Sequence, residues 1–440
     1  MSPHSFSKPS PMEAIAHKLT NDVEDLSEYI RSIGGVQPSL DGDSDDPIHT
    51  IPQDAPLEMQ EARERIMDQC LKLLQLATGP SDYMINFQPG FHYTACLQWL
   101  CAFNIFTLVP AKGKMSYPNL AERAGCTETR LKSVVRMAMT TGLFLERNQQ
   151  VSHSTTSALF ATNEHYRNWA VYATNVTAPI AASLTQAHKR WPYETDKSHT
   201  AHNVAFNHDL SFFEYMSQEP VLHERFAGYM RAISTDHGTN VKHVVSGLDW
   251  GRSPNDLIVD VGGSTGHSSI ALAEAYPNLR FIVQDLPEVI KEVPNILEGK
   301  DTGIASRIQH QAHSFFETQP VVGADVYLLR MILHDWNFEN CVKILRALVP
   351  SLRANSSIVI MDCVLPEPGS VPRSRERLLR VRDLTMMGTF NSQERTIKDW
   401  EAIFQEADPR LQITMISQPF GSVMSLIKVE LAQQVADKGE

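Results

Sequence analysis

The chain is predicted to fold as an α/β domain with a mainly parallel sheet, preceded by an all-helical region that carries a winged helix. Three observations predict this. From Asn255 onward, short β-branched runs alternate with helical patterns, as they do in α/β domains. The first run, Leu257-Ile-Val-Asp-Val-Gly-Gly-Ser-Thr-Gly266, ends on an acid, turns on glycines and opens a small-residue helix at His267. Upstream, between Ser116 and His153, two short helices and a hairpin follow one another in winged helix-turn-helix order.

At 440 residues the chain has room for two or three domains, and 42% hydrophobic residues suffice for a buried core. With 39 basic against 51 acidic residues the formal charge is −12, which argues against nonspecific attraction to nucleic acid or an anionic membrane. No stretch approaches the roughly 18 uninterrupted apolar residues of a membrane span. The opening Met1-Ser-Pro-His-Ser-Phe-Ser-Lys-Pro9 lacks the apolar core of a secretory signal. Six scattered cysteines (Cys70, Cys96, Cys101, Cys126, Cys341, Cys363) form no C-x-x-C pair. They fit reduced thiols in a cytoplasmic protein better than a disulfide frame or zinc site, so the sequons at Asn175 and Asn355 carry little weight.

Residues 1–11 are expected to be disordered. Ile15, Leu19, Val23, Leu26 and Ile30 predict a helix from Met12 to Ile33, ended by Gly34-Gly35. A linker rich in Asp, Pro and Ser fills 36–56. Helices follow over 57–77 and 91–106. The second is apolar on most faces (Cys96, Leu97, Trp99, Leu100, Cys101, Phe103) and needs cover, which another subunit would supply. In the winged module, helices at 117–124 and 127–140 are broken by Gly125 and Gly142, and 143–146 pairs with 150–153. Such a module binds DNA or simply packs. Packing is favoured: Glu128 stands among Arg130, Lys132 and Arg136, and the wing Arg147-Asn-Gln-Gln150 has one cation, whereas phosphate affinity needs several on one face. Residues 164–250 are helical and aromatic, mostly core, with a surplus that could wall a flat apolar substrate. His188, His199, His202 and His208 in this stretch have no metal-site spacing. The expected divisions are 1–56, 57–163, 164–250 and 251–440.

In the last division, strands are expected at 257–261, 280–284, 324–332, 357–361, 411–417 and 422–430, with helices at 266–276, 287–294, 339–349 and 397–406. Ligands of open α/β sheets bind beyond the carboxyl ends of the strands. There stand Asp260, Asp285, His334-Asp335-Trp336 and Asp362. Each has a bland reading as a cap or turn former, but four in succession exceed what capping explains. The glycine turn fits three ligands: S-adenosylmethionine, a dinucleotide, or the acyl group of a hydrolase elbow, since Gly262-x-Ser264-x-Gly266 matches G-x-S-x-G. Asp285 is placed to accept from a ribose diol, which favours a nucleoside and leaves the first two. The elbow is disfavoured because no histidine follows His334, where a triad partner should stand.

Leu257–Gly266, Gln284-Asp-Leu-Pro-Glu-Val-Ile290, Arg330-Met-Ile-Leu-His-Asp-Trp336, Asp362-Cys-Val-Leu-Pro366, Asp383-Leu-Thr-Met-Met387 and Glu394-Arg-Thr396 resemble, in order, the motifs of caffeate-type S-adenosylmethionine-dependent O-methyltransferases of plants and fungi. The resemblance is closer to the fungal branch acting on aromatic polyketides and related secondary metabolites, and extends over about 60–430. It implies a Rossmann-like class I methyltransferase sheet, seven-stranded with the last strand antiparallel. It also implies an N-terminal winged-helix domain that joins two copies into a homodimer. The cofactor would be S-adenosyl-L-methionine, bound by Asp260, Gly262, Gly263, Gly266, Asp285, Ser314, Phe315 and Arg330. His334 would be the base, flanked by Asp362 and Glu394, and Phe213, Met386 and Met387 would face the substrate. Three positions depart from the family pattern: Ser264 and Ser314 replace a common glycine and aspartate, and Asp362 replaces the glutamate of plant members.

The reaction so implied is methylation of a phenolic or enolic hydroxyl. A phenol with pKa near about 10 is protonated at neutral pH, so a neutral imidazole within reach can take its proton as the oxygen attacks. A carboxylate on the other ring nitrogen, from Glu394 or Asp362, would fix the tautomer. No metal is expected, and no ligand cluster has metal spacing. Two other functions remain: a methyltransferase fold turned to pericyclization or dehydration with the sulfonium as a fixed charge, and a winged-helix transcription factor, disfavoured by charge. An intact His-Asp-Trp motif beside two carboxylates argues against the first.

Overall fold

The structure, a computed structural model, describes residues 9–39, 49–52, 54–235, 238–251, 255–291 and 302–432. Residues 1–8, part of the expected linker, the end of the helix expected at 287–294, and the last eight residues lie outside the described residues. The chain forms two compact units, one made of 1–182, 216–232 and 368–378, the other of 183–215, 233–367 and 379–440. The 164–250 segment is therefore divided between the two units.

In the first unit, helices Pro11–Ser32 and Leu57–Thr78 pack through Leu26, Ile30, Met59 and Ile66. Ser10 and Glu13 form a capping box around Pro11. The buried Asp22 accepts from Arg65 and Gln69, both at 2.9 Å. The helix expected at 91–106 instead runs Tyr83–Ala102, through Pro89, and Asn104 in the left-handed conformation breaks it from a short helix Ile105–Leu108. Of its own residues only Leu100 is buried, while Tyr83, Met84, Ile85, Phe87 and Phe91 are each more than half exposed. The winged module has helices Tyr117–Ala124 and Glu128–Met139 and strands β1 (Lys114–Ser116), β2 (Leu145–Arg147) and β3 (Gln150–Ser152), ordered β1-β3-β2. Two of its cations are engaged internally. Arg136 makes a two-point contact with Glu146, 2.8 Å each, and Lys132 pairs with Glu128 at 2.6 Å.

The second unit is built on a seven-stranded sheet: β4 (Leu257–Val261), β5 (Arg280–Asp285), β6 (Ile308–Ala312), β7 (Val326–Arg330), β8 (Ser357–Asp362), β9 (Leu411–Ser417) and β10 (Ser425–Leu431). The order is β6-β5-β4-β7-β8-β10-β9, with β10 antiparallel to both neighbours and the five strands β4 to β8 parallel. Alternate residues of each strand face opposite sides. Val259, Val261, Tyr327, Leu329, Ile358 and Ile360 pack with helices Phe338–Leu348 and Ile397–Ala407. Ile258, Phe281, Val283, Leu328, Val359 and Met361 pack on the other side with helix His267–Ala275 and Trp250. Burial on both faces is why these strands read as nearly continuous apolar runs. Several elements were not foreseen. Strand β6, Ile-Gln-His-Gln-Ala, lies at the edge and buries only Ile308, and helix Arg373–Phe390 is dense in charge.

Candidate active site

The strand ends of β4, β5, β7 and β8 lie side by side, with Asp260 in register with Val283 and Leu328, and Arg330 with Met361. After β4 the chain reverses on Gly262 (φ +71°). A Cβ there would lie 2.7 Å from Ile332 Cδ1, and one on Gly263 would lie 2.5 Å from Asp260 Cγ. This chain's own side chains thus require glycine at both positions. Ser264 takes the left-handed conformation even so (φ +52°), and its N–H donates to Asp285 Oδ2 at 2.8 Å. Gly266 (φ +87°) opens helix His267–Ala275. Asp260 is buried under the turn, accepting from Ser269 Oγ at 2.8 Å. Burial raises its pKa to about 6, against the Ser269 bond and the Arg330 charge.

Asp285 ends β5. Its Oδ1 accepts from Leu286 N–H at 2.8 Å, so each oxygen holds one backbone donor and keeps a lone pair free. Burial pushes its pKa up, and these two bonds pull it back. Ser314 turns inward on itself: its Oγ accepts from Phe316 N–H at 3.4 Å. The Phe315 ring approaches to 3.4 Å of where a Gly262 Cβ would stand and meets Trp336 edge-on at 5.7 Å. Arg330 donates to Thr239 O at 2.8 Å, while its Nε has no hydrogen-bond partner among the described residues. A turn that opens on two glycines, an aromatic ring beside it, a helix N-terminus and a carboxylate with spare acceptors together fit an adenosyl group.

β7 ends at Arg330, and Met331 in the left-handed conformation (φ +57°) turns the chain into Leu333–Asp335. Buried donors hold this turn by its carbonyls. Arg395 donates to Leu333 O at 2.9 Å and to Trp336 O at 2.5 Å, and Ser392 Oγ reaches His334 O at 2.5 Å and Trp336 O at 2.8 Å. The His334 ring is buried, with Nδ1 3.0 Å from Glu394 Oε1. Its Nε2 lies 3.6 Å from Asp335 Oδ1, beyond hydrogen-bond length. Burial disfavours the imidazolium, but Glu394, Asp335 and Asp362 outweigh it and raise the pKa to about 9. Burial likewise opposes the Glu394 charge, yet His334, Arg382 and Arg395 hold that carboxyl below its usual range. Asp362 differs: it is fully buried and neither oxygen has a hydrogen-bond partner among the described residues. Burial lifts its pKa to about 6. Of the two carboxylates that sequence reasoning left open, Glu394 is the one on the imidazole.

Phe213 is 50% exposed and stacks on Phe390 at 5.6 Å. Met386 and Met387 occupy the last turns of helix Arg373–Phe390 and are half-buried. Sequence reasoning missed Lys197, Arg382, Ser392 and Arg395. Arg395 stood inside a quoted motif, but a single sequence carries no sign that an arginine is buried. Lys197 gave no signal at all: it lies in a polar loop, yet its Nζ sits 3.0 Å from the centroid of Trp336. Among the described residues no group of three or more His, Cys, Asp or Glu is arranged to hold a metal. No described helix is long and apolar enough to cross a membrane.

Comparison with known proteins gives three family matches. Residues 192–408 match an O-methyltransferase domain, and 85–163 an O-methyltransferase dimerisation domain. Residues 10–78 match the N-terminal domain of the trypacidin cluster transcriptional coactivator tpcD. O-methyltransferase aoiF of Aspergillus oryzae is 46% identical over 96% of this chain and 100% of its own length. Two solved structures, described as LepI in complex with SAM and as a pericyclic reaction enzyme, superpose with TM-scores of 0.70 and 0.69. Each is 26% identical over 85% of this chain and 95% of its own.

Proposed function

The chain belongs to the O-methyltransferase family, and from that premise we propose that it methylates a phenolic or enolic hydroxyl on an aromatic, polyketide-like secondary metabolite, with His334 as the base. It is an S-adenosyl-L-methionine-dependent enzyme. When bound, the cofactor supplies a methyl group made electrophilic by its sulfonium. Gly262, Gly263, Gly266, Asp285, Phe315 and Arg330 would hold it, with Asp260 bracing the turn from beneath.

The observation that carries the reading is the buried His334–Glu394 pair at 3.0 Å, set on the same strand-end edge as the glycine turn. Glu394 on Nδ1 fixes the tautomer, so Nε2 faces the acceptor hydroxyl and receives its proton. The surrounding carboxylates make the imidazole a strong proton acceptor that is mostly protonated in the free chain below about 9. Reaction therefore runs through the neutral fraction, which grows with pH. Phe213, Met386 and Met387 would flank a flat acceptor, and exclusion of water would come from the aromatic side chains around it.

Two copies would pair through the exposed apolar face of helix Tyr83–Ala102, which lies within the dimerisation-domain match. The winged module would pack rather than bind nucleic acid, since Arg136 and Lys132 are already neutralised by Glu146 and Glu128.

The test is incubation with S-adenosylmethionine and a panel of aromatic polyketides, followed by mass spectrometry. One added methyl is expected, and His334→Ala should slow its addition about 10²–10⁴-fold, the usual contribution of a general base. The likeness to a pericyclic reaction enzyme supports a second reading, a non-methylating rearrangement or dehydration. A product of unchanged mass, or one lacking water, would favour it over the first.

A further inference from the structure

The loop between Trp191 and Thr200 is built to hold one ammonium group in a fixed place. Asn391, itself in the left-handed conformation, donates through Nδ2 to the carbonyls of Asp196 (2.7 Å) and His199 (2.9 Å), the two residues that bracket Lys197 and Ser198. The Asp196 carboxylate closes the bend from inside, accepting from the N–H and Oγ of Ser198 at 2.7 and 2.6 Å. His199 stacks on Trp191 at 4.8 Å. Held this way, Lys197 places Nζ against the Trp336 ring, 3.0 Å from its centroid, and 5.7 Å from that of Phe390. Trp336 follows His334 by two residues, and Phe390 stacks on the exposed Phe213.

The ammonium is only half matched by charge. Burial pulls its pKa down to about 8, while Asp335 favours its charge from a distance. Among the described residues it forms no hydrogen bond and no ion pair, so the N–H donors that do not face the Trp336 ring are open. An ammonium that is partly desolvated and unpaired is unfavourable unless a ligand brings an acceptor. We propose that Lys197 is a specificity-determining residue that recognises an ionised oxygen (a carboxylate or an acidic enolate) on the aromatic acceptor, next to the hydroxyl presented to His334. This rests on the methyltransferase reading for the identity of the ligand as acceptor. A charge-assisted hydrogen bond from a stacked ammonium would select acceptors with such an oxygen over neutral ones of the same shape.

The test measures binding of 3-hydroxy-2-naphthoate and of 2-naphthol to the full chain in the presence of S-adenosylhomocysteine, by calorimetry and tryptophan fluorescence. Wild type should bind the naphthoate more tightly by about tenfold to a hundredfold, the effect of one charge-assisted hydrogen bond. Lys197→Met should bring the two probes level, leaving 2-naphthol and S-adenosylhomocysteine affinities as they were, and Lys197→Arg should keep the preference. The proposal is overturned if wild type shows no preference or binds neither probe. It is also overturned if Lys197→Met retains the preference or weakens both probes and S-adenosylhomocysteine alike, which would mean that Lys197 only pins Trp336. Methyl transfer is scored separately. Its absence with the anion preference intact would remove the functional reading and leave the role of Lys197 standing.

Discussion

The chemistry of His334 depends on which charges stand around one buried ring. Burial alone would leave it neutral, and the three carboxylates of Glu394, Asp335 and Asp362 reverse that. A pKa above the ordinary 6.5 means the imidazolium is stabilised by the fold below that value, and the benefit is lost as pH rises through about 9. Catalysis has the opposite sign, because only the neutral ring accepts a proton. Glu394→Gln removes the nearest of the three charges and should move the rise in activity to lower pH by at least about one pH unit. The histidine and its four neighbouring strand-end acids were legible in the sequence, because their positions follow from where strands stop. Which carboxylate touches which nitrogen was not, since Glu394 reaches the ring from a loop sixty residues away in the chain.

The turn Leu333–Asp335 is the element on which that ring is mounted. It has little regular structure of its own, and its carbonyls are satisfied mainly by Arg395 and Ser392. Arg395 is 1% exposed and lies 5.3 Å from the Trp400 ring, and its removal takes the charged donor from the Leu333 and Trp336 carbonyls and leaves them weaker partners. Arg395→Met should destabilise the protein by about 2–4 kcal/mol, read by denaturant unfolding, and lower kcat through a misplaced His334. Loss of stability without loss of kcat would place the arginine in the core alone. Elements with a strong apolar period were legible, such as helix Phe338–Leu348 and strands β4 and β8. Strand β6 was not, because an edge strand with one buried residue has no alternation to show. Helix Arg373–Phe390 hid behind its arginines, which conceal the few apolar positions that pack.

At the scale of the whole molecule, the first unit leaves Tyr83, Met84, Ile85, Phe87 and Phe91 exposed on one helix. That is more contiguous apolar surface than a lone subunit usually presents. Ile85→Glu should convert a dimer to a monomer in sedimentation or light scattering, and a dimer unaffected by the charge would place the interface elsewhere. Sequence reasoning asked for cover over Cys96–Phe103, a stretch that packs within the unit instead, and the exposed part of the helix was not foreseen because Pro89-Gly90 reads as a break and is carried inside it. The seven-stranded sheet with its antiparallel last strand, and the family, followed from the resemblance of six motifs, four of which stand at strand ends. The pH dependence of kcat/KM for methyl transfer by wild type and Glu394→Gln decides whether His334 and Glu394 act as a proton-accepting pair. Activity in the wild type should climb through the alkaline range toward about 9 and do so at lower pH in the variant. Superimposable profiles for the two proteins would contradict the assignment of His334 and Glu394 as the proton-accepting pair.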